Sequence, residues 1–132
     1  MSKLFTKLNL RDQQEIFIAN APDTFSKEME ALKDVRIVEE IKNIHEINFA
    51  LIFVKTKEEI KDFAESISKK APGDVTLWFA YPKKSSKKYE VNIHRDKGWE
   101  ALEQLGFKGV RQVAIDQDWS ALRFRRQKFV GS

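Results

Sequence analysis

Val75-Thr76-Leu77-Trp78-Phe79-Ala80-Tyr81, followed by Pro82-Lys83-Lys84-Ser85-Ser86-Lys87-Lys88, is an apolar run that stops at a proline and turns cationic. A run with hardly a polar side chain predicts a strand covered on both faces, as strands of parallel sheets are. Pro82 has no N–H to give to a ladder, so the strand ends there and a charged loop begins. Just upstream, Thr56 and Glu59 have the spacing of a capping box, and Ile60, Phe63, Ala64 and Ile67 make one stripe, which predicts a helix over 56–70. Ala71-Pro72-Gly73-Asp74 then turns the chain into the central strand.

Further out, Phe49 to Val54 and Glu15 to Asn20 predict two more buried strands. Phe25, Met29 and Leu32 mark a short helix that Asp23 or Thr24 could cap, and residues 1–14 predict a short helix or arm. Val35 to Ile41 alternates as an edge strand would. Only about six residues join it to the strand at 49–54, too few for the dozen or so of a helical crossover. Residues 35–41 therefore either pair parallel at a sheet edge, after which an extended segment crosses the sheet, or pair antiparallel with 49–54. Downstream, a helix is expected over 93–105, with Trp99, Leu102 and Leu105 inward and Gly106 as its stop. Strands at 110–115 and 121–130, joined by Asp116 to Ser120, predict an antiparallel hairpin.

Composition narrows the chemistry. Of 132 residues none is cysteine, which excludes disulfides, thiolate metal sites and cysteine nucleophiles. No apolar run approaches the ~20 residues of a spanning helix, and the first residues lack the pattern of a signal peptide, so a cytoplasmic protein without a membrane contact is expected. Residues 1–68 carry 10 Lys/Arg against 13 Asp/Glu and residues 69–132 carry 14 against 7, so the second half is basic. That asymmetry suits an anionic partner, though lysines also simply solvate a surface.

Buried strands alternating with helices imply a single α/β domain over 1–132, built on an open, mostly parallel sheet of about six strands. The helix-then-hairpin ending resembles the C-terminal half of the Rossmann-like, S-adenosylmethionine-dependent methyltransferase fold, where the final strand inserts beside the central one. That resemblance favours the crossing route for the segment before 49–54. The chain also resembles a domain-of-unknown-function family of small bacterial proteins. The residues that carry this likeness are Asn20-Ala21-Pro22, Lys55-Thr56, the Trp78-to-Lys84 turn through Pro82, and Asp116 to Ser120 followed by Leu122 and Arg123.

In such a sheet the C-terminal strand ends share one rim, where open sheets bind ligands. The candidate binding residues there are Asn20, Thr56, Tyr81, Lys83, Lys84, Asp116, Asp118, Trp119 and Ser120. They suit an anionic small molecule or an acidic partner held without catalysis; the plainer reading makes Trp119 a plug and the charges surface pairs. The methyltransferase resemblance implies a glycine-rich turn after the first strand, but no glycine precedes Gly73, so no cofactor is expected and S-adenosylmethionine is disfavoured. A divergent methyltransferase remains the alternative, with Glu39 or Glu40 placed to hold ribose hydroxyls. His45 and His94 show no metal-ligand spacing, so no metal is expected. Weak, non-specific nucleic-acid binding is a further reading. It rests on Lys83, Lys84, Lys87, Lys88, Arg95 and Lys97 with Arg123, Arg125, Arg126 and Lys128, although alternation puts Arg126 opposite Arg123 and Arg125.

Overall fold

Phe49–Phe53 (β3) and Thr76–Pro82 (β4) are buried along almost their whole length because helices cover the sheet on both sides. They form the middle of a six-stranded sheet in a computed structural model that describes residues 3–86, 93–94 and 97–130. Glu15–Ala19 (β1) pairs parallel with β3, and Arg36–Val38 (β2) pairs parallel with β1 at the edge. β3 and β4 are also parallel. Phe107–Ala114 (β5) and Trp119–Arg126 (β6) form the antiparallel hairpin, with β6 inserted beside β4. The order is β2-β1-β3-β4-β6-β5. Residues 36–38 thus never pair with β3: the segment after β2 crosses through a short 3-10 turn at Ile41–Asn43, and the Lys70 ammonium holds that turn by donating to the Ile41 and Ile44 carbonyls.

Two layers cover the sheet. Lys57–Lys70 (α3) and Glu100–Gln104 (α4) lie on one face, where Ile60, Ala64, Ile67 and Leu102 pack on Phe17, Ile52, Leu77, Phe79 and Phe124. The Thr56 hydroxyl accepts from the Glu59 N–H at 3.1 Å while Glu59 Oε1 accepts from the Thr56 N–H at 3.2 Å, so the expected capping box is present. On the other face, Lys3–Lys7 (α1) and Ser26–Glu30 (α2) bring Phe5, Leu8, Phe25 and Leu32 onto Ile16, Ile18, Phe53 and Trp78. The Trp78 indole N–H donates to the Leu8 carbonyl at 2.8 Å, fastening the N-terminal arm to the central strand. No described helix is long and apolar enough to cross a membrane.

Three expectations change in detail. Neither Asp23 nor Thr24 caps the second helix, since Pro22 precedes a 3-10 turn at Asp23–Phe25 without a side-chain cap. The helix expected over 93–105 is confined to α4. His94 and Lys97 exchange backbone hydrogen bonds, and Gly98 at φ +107° takes a left-handed conformation that no helix accommodates. A side chain at Gly98 would meet Ile93, so the glycine also answers to close packing. Both hairpin strands start earlier than their apolar residues suggest, and β5 carries an irregularity between Gly109 and Arg111. Lys87, Lys88 and Arg95 lie outside the described residues.

Candidate functional site

The parallel strands β1, β3 and β4 end together at one rim, and β6 begins there with Tyr81 opposite Ser120 and Pro82 opposite Trp119. Two motifs far apart in sequence therefore meet. The Lys83 N–H donates to the Asp118 carbonyl at 2.8 Å, and the Ser86 hydroxyl donates to Asp118 Oδ1 at 2.9 Å, which ties the loop after β4 to the hairpin tip.

The sheet separates these residues by face. Tyr81 and Ser120 point to the α3/α4 side and, with Lys83 and Lys84, line a cavity of about 390 Å³. Ser85, His94 and Gln112 complete the lining, and Gln112 Nε2 donates to the Tyr81 hydroxyl at 2.8 Å. Trp119 belongs to the opposite face, 2% exposed and edge-on to Phe53 at 5.1 Å, so it packs in the core. Asp116 accepts from the Asp118 and Trp119 N–H groups at 2.8 and 2.9 Å, shaping its own turn. Among the described residues, no ion pair joins Lys83 or Lys84 to Asp116 or Asp118. Thr56 serves α3 as its cap.

Asn20 stands apart, at the crevice between β1 and β3 where the strand order reverses: β2 lies on one side of β1 and β3 on the other. It adopts φ +60°, the left-handed conformation that a glycine would supply and that asparagine tolerates better than most residues. Its Nδ2 donates to the Phe53 carbonyl at 3.3 Å, so the side chain spans the crevice mouth. Phe25 seals the crevice floor against Phe53, ring centroids 5.0 Å apart. Glu39 and Glu40, directly after β2, are exposed.

Of the sequence candidates, Tyr81, Lys83, Lys84 and Ser120 share one cavity, whereas Asn20, Thr56, Asp116, Asp118 and Trp119 do not line it. Gln112 and His94 were not among the candidates. Gln112 reaches the site through regular pairing from the hairpin tip, which sets Ala114 opposite Ser120 and Gln112 opposite Leu122 on the Tyr81 side. His94 carried a signal in lying close to Trp99, whose indole N–H donates to the His94 carbonyl at 2.8 Å. Among the described residues no cluster of acidic or histidine side chains could hold a metal ion.

No family model matches this chain, and no curated protein does. Its architecture does have counterparts among solved structures. A SAM-dependent methyltransferase from Aquifex aeolicus superposes with a TM-score of 0.62 at 14% identity, over 94% of this chain and 88% of that one. A protein described as a type 11 methyltransferase from Sulfolobus solfataricus gives a TM-score of 0.59 at 11% identity, over 98% and 79%. The fold is thus the open, mostly parallel Rossmann-like sheet of the methyltransferases, with its antiparallel C-terminal hairpin.

Proposed function

We propose that the chain binds S-adenosylmethionine, or a closely related adenosyl compound, in the crevice between β1 and β3 and acts as a divergent methyltransferase. The observation that carries this reading is the likeness of nearly the whole chain to two structures described as methyltransferases. It leans against the expectation, drawn from the missing glycine turn, that no cofactor is used. The residues present fit the ligand's backbone requirement: Asn20 already holds the left-handed turn after β1. Its amide bridges to Phe53 across the crevice, but Asn20 is exposed, and one side-chain rotation exchanges that hydrogen bond for contact with a ligand. Glu39 or Glu40 would accept from the ribose hydroxyls. The bound compound would supply an electrophilic methyl group, and the cavity at Tyr81, Lys83 and Ser120 would take an anionic acceptor.

Isothermal titration of the full chain with S-adenosylmethionine tests this. Saturable heat is expected, and Asn20→Gly should tighten binding several-fold by removing the bridging amide while keeping the turn. No saturable heat from either protein would sink the reading.

A second reading, anion binding without catalysis, is favoured by one specific observation: Lys83 and Lys84 line the rim cavity without an ion-pair partner among the described residues. Inorganic phosphate binding that disappears in Lys83→Ala/Lys84→Ala, with no response to S-adenosylmethionine, would select it.

A further inference from the structure

Residues three apart in a regular strand point to opposite faces. Lys108 and Arg111 are three apart in β5, yet both share one face. The ladder shifts between Gly109 and Arg111 and leaves Val110, 38% exposed, as the extra residue of a bulge. Lys108 then stands opposite Arg125, and Arg111 opposite Arg123. Four cations from two strands thus form one block beside Trp78, on the face away from α3 and α4. Like charges directly opposite in a ladder repel, so the sheet gains nothing from the arrangement itself. Asp74 neutralises Arg125 through a bidentate pair, with Arg125 Nε donating to Asp74 Oδ1 at 3.0 Å. Arg123 has no such relief: its Nε is buried without an acceptor among the described residues. Burial and then the charge of Arg125 disfavour its charged form, Asp74 partly offsets them, and Arg111 adds a smaller effect in the same direction as Arg125.

We propose that this block is a docking face for the phosphodiester backbone of a single-stranded nucleic acid, separate from the rim site. Three of the four cations are arginines, whose planar forks match phosphate oxygens. β6 is flanked by β4 and β5, and α1 and α2 on this face are packed on the core, so among the described residues no free ribbon or helix stands here to enter the groove of a duplex. A flexible single strand can instead lay its phosphates across the block. Trp78 and Trp119 on this face are 0% and 2% exposed, so neither offers bases a ring to stack on, and binding is independent of sequence.

Fluorescence anisotropy with a labelled oligo-thymidine measures it. Each cation engaged by a single strand contributes about −0.7 to the slope of log K against log salt, so the three cations not hydrogen-bonded to Asp74 give about −2. Arg111→Ala, an exposed position on the edge strand, should make that slope shallower by about 0.7. Asp74→Asn should steepen it by a similar amount and tighten binding, because it releases Arg125. Lys108→Glu/Arg111→Glu should weaken binding at least about tenfold at low salt while circular dichroism stays native. The proposal is overturned if these slopes do not move, or if the loss follows Lys83→Ala/Lys84→Ala instead. Equally tight binding of duplex DNA or polyglutamate would also overturn it.

Discussion

On the side of β2, β1, β3 and β4 the strands run parallel and lie between α1 and α2 on one face and α3 on the other. On the side of β6 and β5 they run antiparallel, and the face away from α3 and α4 carries Lys108, Arg111, Arg123 and Arg125. The first half is closed by packing, and its central strands β3 and β4 are apolar almost throughout because neither face meets water. The second half keeps one face for charge, and its outer strand is an open edge. The cations and the bulge also guard that edge, since both discourage a further strand from adding to it. One set of residues therefore serves two ends, and the closed half leaves the other free to carry them.

Trp78 is where this contrast can be broken most severely, because it lies in the closed half and borders the cationic block. Trp78→Ala should cost about 3–5 kcal/mol in chemical denaturation, from a cavity at a site with no exposure. Trp78→Phe should cost less, roughly 1 kcal/mol beyond the lost volume, for the hydrogen bond to Leu8. Limited proteolysis should then cut within residues 3–10 far faster than in the parent. An arm that stays protected in both variants would mean that the N-terminal segment holds without its indole tie.

Arg126 joins the two halves. From the end of β6 it donates to the Ser68 and Ala71 carbonyls at the C-terminus of α3, at 2.9 and 2.8 Å, and its guanidinium lies 4.7 Å from the Phe107 ring centroid. A cation there satisfies carbonyls that the helix leaves open and meets the negative end of its dipole. Arg126→Ala should destabilise by about 1–3 kcal/mol, and Arg126→Lys by less. If denaturation midpoints do not move, the halves are held by the β4–β6 ladder and the aromatic packing of Phe79, Trp99 and Phe124 alone.

The closed half was the easier to read, for a physical reason. Where both faces are buried, every residue must be apolar, so FALIFV and VTLWFAY announce themselves, and the capping box marks α3. The open half obeys alternation only until the bulge, and a bulge is a matter of register between two strands. Sequence alternation separated Arg126 from Arg123 and Arg125, but it could not bring Lys108 and Arg111 to the same face. The rim was foreseen as a meeting of Tyr81–Lys84 with Asp116–Ser120, and the strand pairing places them together. Which face each side chain took was left open: Trp119, weighed as a binding residue and as a plug, packs on Phe53 in the core. Likewise the absence of glycine does not keep the backbone after β1 out of the left-handed region, since Asn20 takes φ +60° there.

The smallest effect concerns Asp74, the acid paired with the cationic block. Asp74 is held below its ordinary pKa of 3.8, chiefly by the hydrogen bond from Arg125; burial is the next largest effect and opposes it, and the charges of Arg125 and Arg123 add to the depression. A carboxyl whose folded pKa is depressed binds protons less readily than in the unfolded chain. Its contribution is therefore complete above about pH 4 to 5 and is lost as the pH falls through the folded value. Urea denaturation of the parent and of Asp74→Asn should show a constant small gap near neutral pH that closes under acid. The same acid step should release Arg125 and so tighten oligo-thymidine binding relative to Arg125→Ala, at a pH where the phosphodiester stays charged. If the gap persists under acid, Asp74 acts through turn geometry after Gly73, and its charge does not set how many cations this face offers.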